Sequence, residues 1–84
     1  MKKIVADLHF VSEQEIQKQN KKYRKIDTPT DVLSFPLDQE EGPDEVIRLG
    51  DILICKKQAK KKGHKIPFLI RHGMLHLLGV HHKE

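Results

Sequence analysis

The chain has 84 residues, sixteen Lys and Arg against twelve Asp and Glu, a formal net charge of +4 and a single cysteine. That length holds one domain, residues 1–84, whose core is small enough for a bound metal to matter to its stability. Cys55 alone excludes an internal disulfide, no apolar run approaches the roughly 20 residues of a membrane span, and Asp7 and His9 interrupt any signal-peptide apolar region, so a cytoplasmic location is expected.

Residues 2–10 read as a strand, with Ile4, Ala6 and Leu8 on one face and Val5 on the other. Ser12 opens a helix: Ser12-x-x-Glu15 is a capping box, Val11 can staple onto Ile16, and the helix should run to about Arg24. Residues 27–31 form a turn, with Thr28 held extended by Pro29. Residues 32–35 make a second strand closed by Pro36, 38–48 an acidic loop, and 49–54 a third strand. Cys55 continues an apolar run and belongs to the core; residues 55–62 are a short basic helix ended by a left-handed Gly63. The last helix spans 67–78, from Pro67 in its first turn to a stop at Gly79. Apolar residues lie all round it, which predicts a buried helix. The fold class is therefore α+β, a small mixed sheet of three or slightly more strands packed on helices.

The charges are segregated. Residues 18–25 and 56–65 are basic and 38–45 acidic. Basic runs concentrate polyanions such as RNA around a protein, although lysines on helices also serve simply to solvate them.

The chemistry lies in the last helix. His72 and His76 are one turn apart on one face, and a chain turning back at Gly79 brings His82 to the same point. Three imidazoles and a water make an open tetrahedral zinc site of the catalytic type. The spacing His-x-x-x-His-x-x-Gly-x-x-His is that of the metzincin proteases. A zinc protease, however, places its Glu general base directly after the first His, and here that residue is Gly73. The ligand cage is present without the peptidase base, which disfavours a metallopeptidase.

With these residues in view, the chain resembles the YbeY endoribonucleases, also called rRNA maturation factors. Three blocks carry the resemblance: Tyr23-Arg24 with Asp27-x-Pro29-Thr30-Asp31-Val32-Leu33-Ser34-Phe35-Pro36; Gly50-Asp51-Ile52 with Ile54-Cys55; and His72-Gly73-x-Leu75-His76-Leu77-Leu78-Gly79-x-x-His82. The resemblance implies a single-strand-specific, metal-dependent endoribonuclease that matures the 3′ end of small-subunit (16S) rRNA and serves ribosome quality control. It further implies one zinc on His72, His76 and His82, the essential arginine at Arg24, and ribosomal RNA, with small-subunit proteins beside it, as partners. Relative to the family pattern a strand and helix before Lys2 and a helix after the third His are missing, so a short or truncated member is expected. The usual aromatic-Asp pair before the third His is Val80-His81, which makes His81 a competitor for the third ligand position.

Zinc pulls the pKa of a bound water toward about 7, and Arg24 offers a planar, two-pronged donor to a phosphate on which charge develops. Attack by water and attack by the substrate's own 2′-hydroxyl both stay open. Asp31, Ser34 and Asp51 are second-rank candidates, Asp51 chiefly as a brace, and His64 is expected in solvent. A non-catalytic RNA-binding or ribosome-assembly module with a structural zinc is the rival from another class.

Overall fold

The computed structural model describes residues 3–37 and 46–81. Its centre is β3 (Val46–Ile54), the middle strand of a three-stranded sheet in the order β1-β3-β2. β1 (Lys3–Phe10) pairs with β3 in parallel and β2 (Val32–Pro36) pairs antiparallel, so the sheet is mixed and the fold is α+β. Among the described residues β2 lies at an edge of the sheet, a position that tolerates Pro36.

Helices cover both faces of the sheet. α1 (Glu13–Arg24) connects β1 to β2, and Ile16, fully buried, packs with Leu33 and Cys55 and with the half-buried Val11, Phe35 and Leu53. α2 (Lys56–Lys62) and α3 (Ile66–His81) follow β3, and Leu69 and Leu77 of α3 join Leu49, Ile52, Ile54 and Ala59 in the second core cluster. A central strand covered on two sides must be apolar on two sides, which is why 52–54 read as a continuous run rather than an alternation.

A bulge sets which side chain meets which helix. Between the pairs Val5↔Arg48 and Asp7↔Asp51, β3 contains one residue more than β1. The extra residue lets Leu49 share a core cluster with Ile52 and Ile54, while Asp51 and Leu53 line the α1 side. Gly50 sits at the bulge with φ +150°, and a Cβ there would lie 2.0 Å from the Phe35 carbonyl oxygen. Only glycine satisfies both the dihedral and the close approach.

Local signals account for the helix ends. Ser12 Oγ accepts the Glu15 N–H at 3.1 Å. The capping box is half made, since the Glu15 carboxylate takes Gln19 Nε2 at 2.7 Å instead. α1 ends on Lys25, whose φ of 60° is left-handed. Asn20, buried, donates to the Thr28 carbonyl at 2.9 Å and ties that end to the following turn. α2 ends on Gly63 with φ 72°, as its position predicts. Cys55 is a core residue, also as expected.

Three expectations need correction. β3 starts at Val46, not at residue 49, because Lys3 and Ile4 of β1 pair with Val46 and Ile47, a contact no local signal announces. The rest of the acidic loop, 38–45, lies outside the described residues. α3 does not stop at Gly79 but runs on to His81, and Gly79 has no left-handed dihedral. Nor is α3 enclosed: Leu69, Gly73 and Leu77 are buried, whereas Phe68 and Leu75 are 57% and 58% exposed. The sheet can cover only one side of a helix lying on it. No helix among the described residues is long and apolar enough to cross a membrane.

Gly50→Ala should destabilise the chain by at least the about 1–3 kcal/mol that an enforced unfavourable dihedral costs. A urea denaturation midpoint lowered without a change in slope is the expected reading; an unmoved midpoint would show that the bulge relaxes freely.

Candidate active-site cleft

α3 approaches the sheet closely because Gly73 has no side chain. A Cβ at Gly73 would come within 3.0 Å of Ile52 Cδ1 and 3.2 Å of Ser34 Oγ. His72 and His76, on one side of Gly73, are thereby held beside β2, both exposed, with ring centroids 6.5 Å apart and planes at 38°. Position 73 is thus filled by the close approach of helix and sheet, and a larger side chain there would have to displace Ile52 or Ser34.

Arg24 reaches this place from the other side of the sheet. It is the last residue of α1, and Tyr23 beside it packs on Phe35 of β2 with centroids 4.8 Å apart at 57°. Because β2 is an edge strand, α1 and α3 can meet around it. Arg24, Tyr23, Ser34, His72 and His76 line one cleft of about 430 Å³, with Val32, Leu33 and Phe35 completing its wall. Two histidines, an arginine and a serine from three elements thus line one cleft. Among the described residues no group of three metal-binding side chains forms. His82 lies outside the described residues, and the turn expected to deliver it is not at Gly79, since the helix continues to His81.

The second-rank candidates fall into distinct places. Ser34 lines the cleft with the histidines. Asp51 braces the sheet, its Oδ1 lying 3.0 Å from His9 Nε2 across β1 and β3. That pair borders a larger cleft of about 800 Å³ on the α1 side, which shares Tyr23 and Phe35 with the histidine cleft but contains neither histidine of α3. Asp31, only 6% exposed, holds His64 Nδ1 at 2.6 Å and has Lys62 Nζ at 3.7 Å. His64 and Asp31 line a third cleft, about 270 Å³, together with Val32, Phe68, Leu69 and His72. The sequence placed His64 in solvent; its ring is exposed but anchored. A partnership across 33 residues carries no local signal.

The basic runs do internal work as well as external. Lys61 and Gln58 of α2 hydrogen-bond the Glu13 carboxylate at the start of α1, Lys61 at 3.0 Å, and Lys57 lies at 3.9 Å. These donors lower the Glu13 pKa, the Lys61 hydrogen bond most and the Gln58 hydrogen bond next. Lys21 faces Asp27 at 3.8 Å, and Lys22 lies over the Tyr23 ring at 5.2 Å.

The family model described as Endoribonuclease YbeY matches residues 1–84. The chain belongs to the YbeY family. It is 40% identical over 89 residues to the Endoribonuclease YbeY of Aquifex aeolicus, covering 96% of this chain and 58% of that protein. To the Staphylococcus carnosus YbeY it is 47% identical over 85 residues (87% of this chain, 56% of that protein), and to the Finegoldia magna YbeY 49% over 83 residues (89% and 54%). The chain therefore spans somewhat over half the length of these curated relatives. The resemblance drawn from the Arg24, Gly50 and His72 blocks is thus shown at the level of the family.

Burial by itself would raise the Asp31 pKa, but the His64 hydrogen bond and the Lys62 charge outweigh it and leave the carboxyl below its ordinary value. A carboxyl with a depressed folded-state pKa contributes stability that is complete above its unfolded pKa and is lost as pH falls through the folded value. Asp31→Asn should therefore lower the melting temperature at neutral pH and shrink the loss of stability on acidification. Equal acid-side slopes for the two proteins in a pH series of melting curves would show that Asp31 is not the group responsible.

Proposed function

We propose that this chain is a zinc-dependent, single-strand-specific endoribonuclease that acts in the cytoplasm on ribosomal RNA, at the 3′ end of 16S rRNA, in ribosome maturation and quality control. Small-subunit ribosomal proteins are its neighbours in that setting. One observation carries the reading: Arg24 from α1 and the His72–His76 pair from α3 line the same cleft, although α1 and α3 cover opposite faces of the sheet. Membership of the YbeY family supplies the reaction class.

Imidazole nitrogens are donors of the kind zinc takes. His72 and His76 are exposed imidazoles one helical turn apart on a helix held rigid by its buried face, and His82 is the proposed third ligand. Zinc bound there supplies Lewis-acid polarisation of a phosphoryl oxygen. The remaining chemistry belongs to the chain. Arg24 can grip two non-bridging phosphate oxygens through parallel N–H donors, an interaction that strengthens as charge builds on phosphorus. Ser34 offers a hydroxyl on the cleft wall. Tyr23 and Phe35 give the cleft an apolar wall that keeps the arginine's field from being fully screened by water.

Arg24→Lys keeps the charge and loses the planar fork. Turnover on single-stranded ribosomal RNA should fall by about 10²-fold, the usual cost of one transition-state donor, with RNA affinity and zinc content little changed. His72→Ala and His76→Ala should each lose zinc, and thermal stability with it. Undiminished cleavage by Arg24→Lys would remove Arg24 from the reaction. Binding of RNA with zinc retained but no cleavage by either protein would favour the non-catalytic module.

RNA affinity should also drop steeply between low and high salt through counterion release. A flat salt titration would show that the lysines of 18–25 and 56–65 serve only to solvate their helices and to pair internally.

A further inference from the structure

One ring on α3 has no role in the core and none in the cleft just described. Phe68 is 57% exposed, although the helix beneath it is anchored by the buried Leu69. Its ring lies nearly parallel to that of His72, at 19° with centroids 6.2 Å apart, and at 54° and 5.8 Å to that of His64. Phe68, His72 and His76 follow one another at four-residue intervals, about 6 Å along the helix. They form a row of exposed rings that ends at the proposed metal ligands.

The third cleft, about 270 Å³, contains Phe68 and His64 and shares Val32 and His72 with the histidine cleft, so the two adjoin. Its polar groups do not repel a polyanion. The Asp31 carboxylate is 9% exposed at its side chain and is matched by Lys62 and by His64. His64 Nδ1 lies 2.6 Å from that carboxylate, which anchors the imidazole beside the Phe68 ring. An exposed aromatic ring, an anchored imidazole and an acid paired with Lys62 at a basic helix end form a surface for a flat ring. Single-strand-binding proteins hold unstacked bases on such aromatic faces, with cations tracking the phosphates.

We propose that Phe68 is the stacking platform for an unpaired nucleobase next to the phosphate held in the histidine cleft. This rests on the reading of the chain as an RNA-binding enzyme and adds a base subsite to it. An unpaired base is required because a base inside a duplex has no free face, so the subsite also selects for single strands.

The test uses the full 84-residue chain, 2′-O-methyl hexanucleotides and fluorescence anisotropy. One set of hexamers is intact; in the other a single abasic position is moved along the strand. Phe68→Ala and Phe68→Leu should each weaken binding of the intact hexamer about tenfold, and Phe68→Trp should bind at least as tightly as the parent. For the parent, one abasic position should cost a similar factor, and on that hexamer the Phe68→Ala loss should vanish. Thermal melting should be unchanged, because the ring is exposed, and the salt slope should be unchanged, because stacking releases no counterions. The proposal is overturned if Phe68→Ala binds like the parent, if its loss is the same with and without a base at every position, or if its only effect is on self-association in sedimentation. Cleavage separates the two readings. Normal cleavage with no abasic-dependent effect sinks the subsite alone, whereas an abasic-dependent effect in a chain that cleaves no RNA sinks the enzyme reading and leaves the subsite standing.

Discussion

The fold turns on the bulge at Gly50. β3 must satisfy two helices at once, α1 on one face and α3 on the other, and an unbroken alternation would put Leu49 on the wrong side. The residue gained between Arg48 and Asp51 corrects the parity, so that Leu49, Ile52 and Ile54 share the α3 cluster while Leu53 packs under α1. The bulge exists only because Gly50 can hold φ +150° against the Phe35 carbonyl. The core on either face, and hence the seating of each helix, follows from that one backbone conformation.

A second missing side chain then places the chemistry. Gly73 lets α3 settle against Ile52 and Ser34, and the two histidines, both on one side of the buried stripe, come to rest beside β2 rather than over the sheet's centre. An edge is where residues from opposite faces can meet. Arg24 belongs to the helix on the far face, yet it lines the same cleft as the histidines, beside Tyr23 and Phe35. Had β2 been a central strand, further strands would have kept the arginine and the imidazoles apart.

Electrostatics divides the lysines by task. Those of α2 pair with Glu13 and Asp31, and so fasten α2 to the start of α1 and to the entry of β2. Such pairs at the surface are individually weak. Here they converge on two carboxylates whose pKa values are lowered. A composition with excess positive charge thus conceals a structural share, and only the remainder is available to a polyanion.

What the amino-acid sequence determined by itself was local or covalently spaced. The Ser12 cap, the Gly63 stop, the β2 strand with its closing proline and the one-turn spacing of His72 and His76 all rest on interactions within a few residues, so their signals sit beside their effects. The Arg24, Gly50 and His72 blocks likewise carried the family. The start of β3 at Val46, the bulge, the Asp31–His64 pair and the meeting of Arg24 with the histidines were decided only in three dimensions, because each joins residues distant in the chain. α3 shows the division most clearly. Its apolar composition predicted burial all round and its Gly79 predicted a stop, yet a helix lying on one sheet buries one stripe, and a glycine whose missing side chain meets nothing within 4 Å has no packing reason to break the helix. Phe68 was left exposed by that geometry: its hydrophobicity is written in the sequence, but its position in an open row of rings is a property of the packed sheet and helix alone.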